Sequence, residues 1–154
     1  YSWDVDRALR KIKELKSWYP IDDKKIYAVG YEKAGSFALV MAINQPGSFT
    51  ACAAMDAKTD GALLAVSDRG QEKDYLDVYA YASDKARQRP IWMMNFDGSE
   101  YVKPQELKKT QELLAKYGYA VAYKMEKGLP FGPTQKVAGE MYDWFSKQTV
   151  MEKK

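Results

Sequence analysis

The apolar residues of this chain change their period repeatedly, and the changes mark out alternating helices and strands. Val5, Ala8, Leu9, Ile12 and Leu15 recur at the 3.6-residue spacing of a helix, with Arg7, Arg10, Lys13 and Glu14 on the opposite side. Residues 2–18 therefore read as an amphipathic helix that Ser2 or Asp4 can cap. Pro20 closes it, and Ile21-Asp22-Asp23-Lys24 turns the chain into a short strand, Lys25-Ile26-Tyr27-Ala28-Val29. A tight Gly30 and the polar step Tyr31-Glu32-Lys33 lead into a helix from Ala34 to about Ile43. That helix is apolar around its circumference (Phe37, Leu39, Val40, Met41, Ile43) and must be buried on most sides.

The run over 49–55 reads as a strand buried on both faces, the mark of a parallel sheet. Residues 56–89 are the least regular part, an irregular helical insertion or lid-like segment. Within it, 61–66 and 75–86 look helical on either side of a charged, glycine-containing loop. Arg89-Pro90 introduces a third buried strand over 91–95, and Pro104 opens a helix through Lys116 with Leu107, Leu113 and Leu114 inside and Gly118 at its end. Residues 119–125 form the fourth strand. After the loop 128–133, a last amphipathic helix over 134–147 carries Val137, Met141, Trp144 and Phe145 on one face. Four alternations with helix-length crossovers predict a three-layer α/β/α domain with a mostly parallel sheet of about four strands and right-handed connections. At 154 residues the whole chain, 1–154, is the length of one such domain.

Charge narrows the function classes. The 24 basic and 21 acidic residues are interleaved, so the chain lacks the clustered positive charge of a nucleic-acid footprint. No apolar run reaches the ~18 residues that span a bilayer. Cys52 is the single cysteine, which excludes an internal disulfide and a cysteine-based metal site, and its apolar neighbours make it a buried structural thiol.

Chemistry concentrates where the first strand meets the apolar helix. Strand, sharp glycine turn, small residues and buried helix are the build of a nucleophile elbow, which holds a side chain on a strained turn above a parallel sheet. The apical residue here is Glu32. Gly30 and Gly35-Ser36 imitate the spacing of a phosphate loop without its lysine, so Ser36 reads as a first-turn residue of the helix. Glu32 with Asp97 or Glu100 could form a carboxylate pair serving acid/base chemistry or a divalent cation; the simpler reading pairs Glu32 with Lys33 or another local cation. Lys33 would act as an amine nucleophile only in a desolvated pocket. Tyr75, Tyr79 and Tyr81 either line a cleft or pack half-buried on their helix, and Trp92 reads as core.

The chain resembles the α/β-hydrolase superfamily, in particular its polyhydroxybutyrate-depolymerase and feruloyl-esterase-like branch. The resemblance is carried by Ile21-Asp22, by Lys25-Ile26-Tyr27-Ala28-Val29-Gly30-Tyr31 with Ala34-Gly35, by Gln45-Pro46 and Phe49, and by the alanine-rich strand at 51–54. It covers nearly the whole chain but only the second half of the family's fold. The elbow strand there is usually the fifth of eight, which implies preceding strands before Tyr1. The family's nucleophile position falls on Glu32, its acid on Asp97 or Glu100, and its histidine in the loop at 128–133, which holds Leu129, Pro130 and Phe131. No histidine occurs anywhere in the chain. A Ser–His–acid mechanism needs both the hydroxyl and the imidazole. The resemblance therefore implies a degenerate triad and a pseudoenzyme: a structural, interaction or ligand-binding module without a cofactor or metal. Tyr31, Glu32, Lys33 and Phe131 are its cleft candidates, with Phe131 able to plug the former active site. The alternative is an esterase-related enzyme using Glu32 with Asp97 or Glu100. Many members of that branch are secreted, implying an extracellular or cell-envelope setting. A bare outer edge on Lys25-Ile26-Tyr27-Ala28-Val29 would invite aggregation, so a homodimer partner, other domains of the same protein, or the helix from Ser2 is expected to cover it.

Overall fold

The computed structural model describes residues 2–57, 88–128 and 132–148. Its first element is helix α1, Ser2–Trp18, as the periodicity predicts. Asp22 then accepts a hydrogen bond from Lys24 N at 2.9 Å and caps a 3-10 turn, Asp23–Lys25. That turn consumes the residues expected to begin the first strand, so β1 runs Tyr27–Tyr31, two positions later than 25–29. Helix α2, Lys33–Asn44, follows without a linker. Strands β2, Ala51–Met55, and β3, Ile91–Phe96, are buried at every position, which is why neither shows polar alternation in sequence. Helix α3, Pro104–Lys116, strand β4, Val121–Glu126, and helix α4, Gln135–Ser146, complete the order. The expected strands over 49–55 and 119–125 begin two residues early: Phe49 and Tyr119 are buried but precede the ladder.

The four strands are parallel and lie in chain order β1-β2-β3-β4. Register runs from Tyr27↔Ala51 through Cys52↔Ile91 to Ile91↔Val121. Alternation divides their side chains between two layers. One side of the sheet joins Ala28, Cys52, Ala54, Ile91 and Met93 to residues from α1, α2 and α3, including Leu9, Leu39, Leu107 and Leu114. The other joins Ala51, Ala53, Met55, Trp92, Met94 and Phe96 to Val137 and Phe145 of α4. Cys52 is fully buried, and desolvation pushes its thiol pKa well up, as expected of a structural cysteine. Gly118, at φ +91°, ends α3 with Tyr119 N donating to Leu114 O and Gly118 N to Ala115 O, a Schellman closure. The helices expected over 61–66 and 75–86, with Tyr75, Tyr79 and Tyr81, lie outside the described residues.

An ionic bridge fastens α4 to β4. Lys124 Nζ sits 2.8 Å from Glu126 and also contacts Glu140, while Lys136 Nζ lies 2.8 Å from the other Glu126 oxygen. Hydrogen bonds from Lys124 and then Lys136 hold the Glu126 pKa down at about 2, from an ordinary 4.5. A carboxyl depressed in the folded state stabilises fully above its unfolded pKa, and that stability drains away as the pH falls from about 4.5 through about 2. Between about pH 5 and pH 2.5 the native chain should therefore lose more stability than Glu126→Gln, measured as urea midpoints, and added salt should shrink the difference. Parallel pH profiles for the two proteins would contradict the bridge.

Candidate functional site

The site begins with a backbone constraint. β1 passes directly into α2, and the turn closes so tightly that a Cβ on Gly30 would lie 1.9 Å from Ala34 O. On the next turn, a Cβ on Gly35 would meet Met55 O at 2.8 Å, so the small residue in α2 lets the helix seat against β2. Between these glycines Glu32 is held at φ 51°, ψ −119°, a region that costs a residue with a side chain about 1–3 kcal/mol. Glu32 N donates to Met55 O at 2.8 Å, and Glu32 O accepts from Ser36 N at 3.0 Å, so the strained residue is pinned from both sides. The side chain makes no capping bond to α2. Ser36 is buried in the first turns of that helix, with its hydroxyl 3.4 Å from Glu32 O.

Strain of this kind predicts its own relief. Glu32→Gly, which removes the Cβ from the positive-φ position, should stabilise the chain by about 1 kcal/mol. The reading is a higher urea midpoint at unchanged slope; a lower midpoint would mean that the Glu32 side chain contributes more than its backbone costs.

An acidic residue stands at the carboxyl end of every strand: Glu32 after β1, Asp56 after β2, Asp97 after β3 and Glu126 closing β4. The sheet ladder continues one residue beyond the first three strands. Glu32 N, Asp56 N and Asp97 N donate to Met55 O, Met94 O and Glu126 O. All four acids are thereby fixed along the rim where ligands of open parallel sheets bind.

Their environments differ. Tyr31 lies half-buried at the end of β1, its ring edge-on to Phe96 with centroids 6.3 Å apart. Desolvation raises its phenol pKa, and the charges of Asp56 and Glu32 together with a hydrogen bond to Glu32 raise it further. Tyr31, Glu32 and Asp56 thus form one electrostatic group. Lys33 is exposed at the start of α2. Asp97 is exposed and accepts from Gly128 N at 2.7 Å, tying the turn after β3 to the loop after β4. Glu100 is exposed in the approach to α3, where Ser99 Oγ accepts from Val102 N at 3.4 Å. Phe131, the expected plug, lies outside the described residues.

Asp56 was not among the acids singled out by sequence. It is fully buried at φ 45°, and its Oδ1 accepts from Asn95 Nδ2 at 2.5 Å and Phe96 N at 2.9 Å. Its signal was available: an aspartate directly after five apolar strand residues has nowhere to go but the rim. Among the described residues no group of three histidine, cysteine or acidic side chains could hold a metal ion, and no helix is long and apolar enough to cross a membrane.

No protein-family model and no curated protein sequence matches the chain. Solved structures do match. A thermostable esterase is 18% identical with a TM-score of 0.64, over 95% of this chain and 37% of its own. Arabidopsis thaliana SOBER1 is 14% identical with a TM-score of 0.67, over 93% and 61%. The acylaminoacyl peptidase of Pyrococcus horikoshii is 15% identical with a TM-score of 0.70, over 98% and 28%. The chain thus spans less than two thirds of each. These are α/β-hydrolase superfamily proteins, and the parallel sheet, the strained turn at Glu32 and the helices on both sheet faces place this chain with them in architecture: it has an α/β-hydrolase-like half fold.

Proposed function

We propose that this chain is a non-catalytic α/β-hydrolase-like domain, a pseudoenzyme module whose role is structural or interactive. The observation that carries the reading is Glu32 itself. The backbone still adopts the costly conformation that presents a side chain above the sheet, but the side chain presented is a carboxylate in a chain with no histidine. A carboxylate attacking an ester would give an anhydride, and nothing in the chain can supply the imidazole that deprotonates a nucleophile and then protonates a leaving group. The two acids proposed as partners offer little support for a carboxylate mechanism: Glu100 is exposed, and Asp97 holds Gly128 N.

An interaction role is supported by the outer side of β1. Among the described residues β1 pairs only with β2, and Val29 remains 46% exposed with α1 in place. A groove of about 360 Å³ runs beside it between α1 and α2, lined by Ile12, Leu15, Val29, Phe37 and Met41 among others. We read this edge as the contact for other domains of the same protein or for a second copy. The ancestry in the polyhydroxybutyrate-depolymerase and feruloyl-esterase-like branch rests on the sequence resemblance alone. A short acyl ester assay tests the central reading. Hydrolysis no faster than buffer, and unchanged in Glu32→Gln, is the expected result; clear turnover abolished by Glu32→Gln would establish a carboxylate enzyme instead.

A further inference from the structure

Asp56 is the only charged residue among the described residues that is buried, and it is fully so. Its Oδ1 takes two hydrogen bonds, both from neutral donors, Asn95 Nδ2 and Phe96 N. Among the described residues its Oδ2 has no hydrogen-bond partner. Two further buried oxygens are in the same condition: the Asn95 side-chain oxygen, on the amide that binds Asp56, and the Tyr123 hydroxyl. Asn95 and Tyr123 lie on the same side of adjacent strands, because Met93 is in register with Tyr123 and Asn95 follows Met93 by two. The Tyr123 phenol pKa is raised by desolvation and then by the Asp56 charge, which places that hydroxyl within the field of the carboxylate.

A buried carboxylate costs several kcal/mol unless a countercharge accompanies it. Hydrogen bonds from an amide and a backbone N–H satisfy its geometry and leave its charge. None of the ion pairs among the described residues includes Asp56. The three unpartnered atoms are a carboxylate, an amide carbonyl and a phenol oxygen: hard donors, suited to a hard cation. One carboxylate among neutral oxygens balances a single positive charge, whereas a divalent ion draws on several carboxylates, and no such group is present among the described residues.

We propose that Asp56, Asn95 and Tyr123 form a site for a desolvated monovalent cation, an alkali-metal ion or the ammonium head of a small amine, beneath the Glu32 turn. The site joins the turn through the backbone: Met55, which precedes Asp56, receives Glu32 N. Cation binding there neutralises the charge under the elbow and ties the ends of β2 and β3 to the middle of β4.

The test is the thermal midpoint of the chain in potassium, sodium, ammonium, methylammonium or choline chloride at constant ionic strength. The expected result is a midpoint at least about 3 °C higher in one of the small cations than in choline, saturating with concentration. A rise in potassium or sodium assigns an alkali-metal ion; a rise confined to ammonium and methylammonium assigns an amine head. Asp56→Asn should abolish the increment. Tyr123→Phe removes only one donor and should raise the half-saturating concentration roughly five- to tenfold. It also keeps the test decisive if Asp56→Asn does not fold. Equal midpoints in all five salts, as an ordered water would give, overturn the proposal. So does an increment unchanged in Tyr123→Phe.

Discussion

Replacing Gly30 with alanine is expected to abolish the native fold or to cost more than about 4 kcal/mol, a large part of the 5–15 kcal/mol that holds a typical domain together. The added methyl group would lie 1.9 Å from Ala34 O, 2.1 Å from the Ala34 carbonyl carbon and 2.4 Å from Gly35 N. All three are backbone atoms, so no side chain can swing aside. Relief requires the first turn of α2 to lift away from β1, and that movement is opposed by the packing of the rest of the helix. Gly35 rests against Met55 O, and everything from Ala38 to Ile43 is buried between the sheet and its neighbours. Soluble expression, far-UV circular dichroism and a urea titration measure the outcome. A Gly30→Ala protein within about 1 kcal/mol of the native chain would show that the turn is not closed as described. Glu32→Gly, two residues away, has the opposite predicted sign. The pair therefore separates the steric demand of the turn from its torsional cost.

Much of this architecture could be read from periodicity because the elements differ in how they bury their faces. α1 and α4 carry one apolar stripe each, and both appear over the expected residues. β2 is an uninterrupted apolar run, and β3 is one but for Asn95, because helices cover both sides of them. The start of β1 was displaced by a local interaction, the Asp22 side chain bonding Lys24 N, that competes with strand pairing for two residues. The elbow was legible from Gly30 and Gly35, since only a close approach of backbone to backbone demands glycine at both points. The polar group beneath it was not. Asp56, Asn95 and Tyr123 stand 39 and 28 residues apart in sequence, and only parallel register brings them to one face of the sheet. The acids that the family resemblance indicates after the third strand are Asp97 and Glu100 instead. The structure ties the first to Gly128 N and leaves the second exposed.

Restoring a serine at the apex should not restore hydrolysis. Glu32→Ser places a hydroxyl on the strained turn, the geometry that serine hydrolases exploit. A serine hydroxyl at neutral pH is a poor nucleophile until a base takes its proton, and the chain contains no histidine to do so. The other acid in the electrostatic group, Asp56, is buried and bound to Asn95 and Phe96 N, so it is not positioned to act as that base. Triad members act as a unit: loss of the serine or the histidine alone costs about as much as loss of all three, roughly 10⁶-fold in turnover. A serine without its imidazole should therefore be worth nothing over alanine. Short acyl ester hydrolysis by Glu32→Ser and Glu32→Ala is expected to agree within about a factor of two, far below an intact triad. A Glu32→Ser rate more than about 100-fold above Glu32→Ala would require a general base elsewhere near the apex, and would return the chain to the enzymes whose fold it shares.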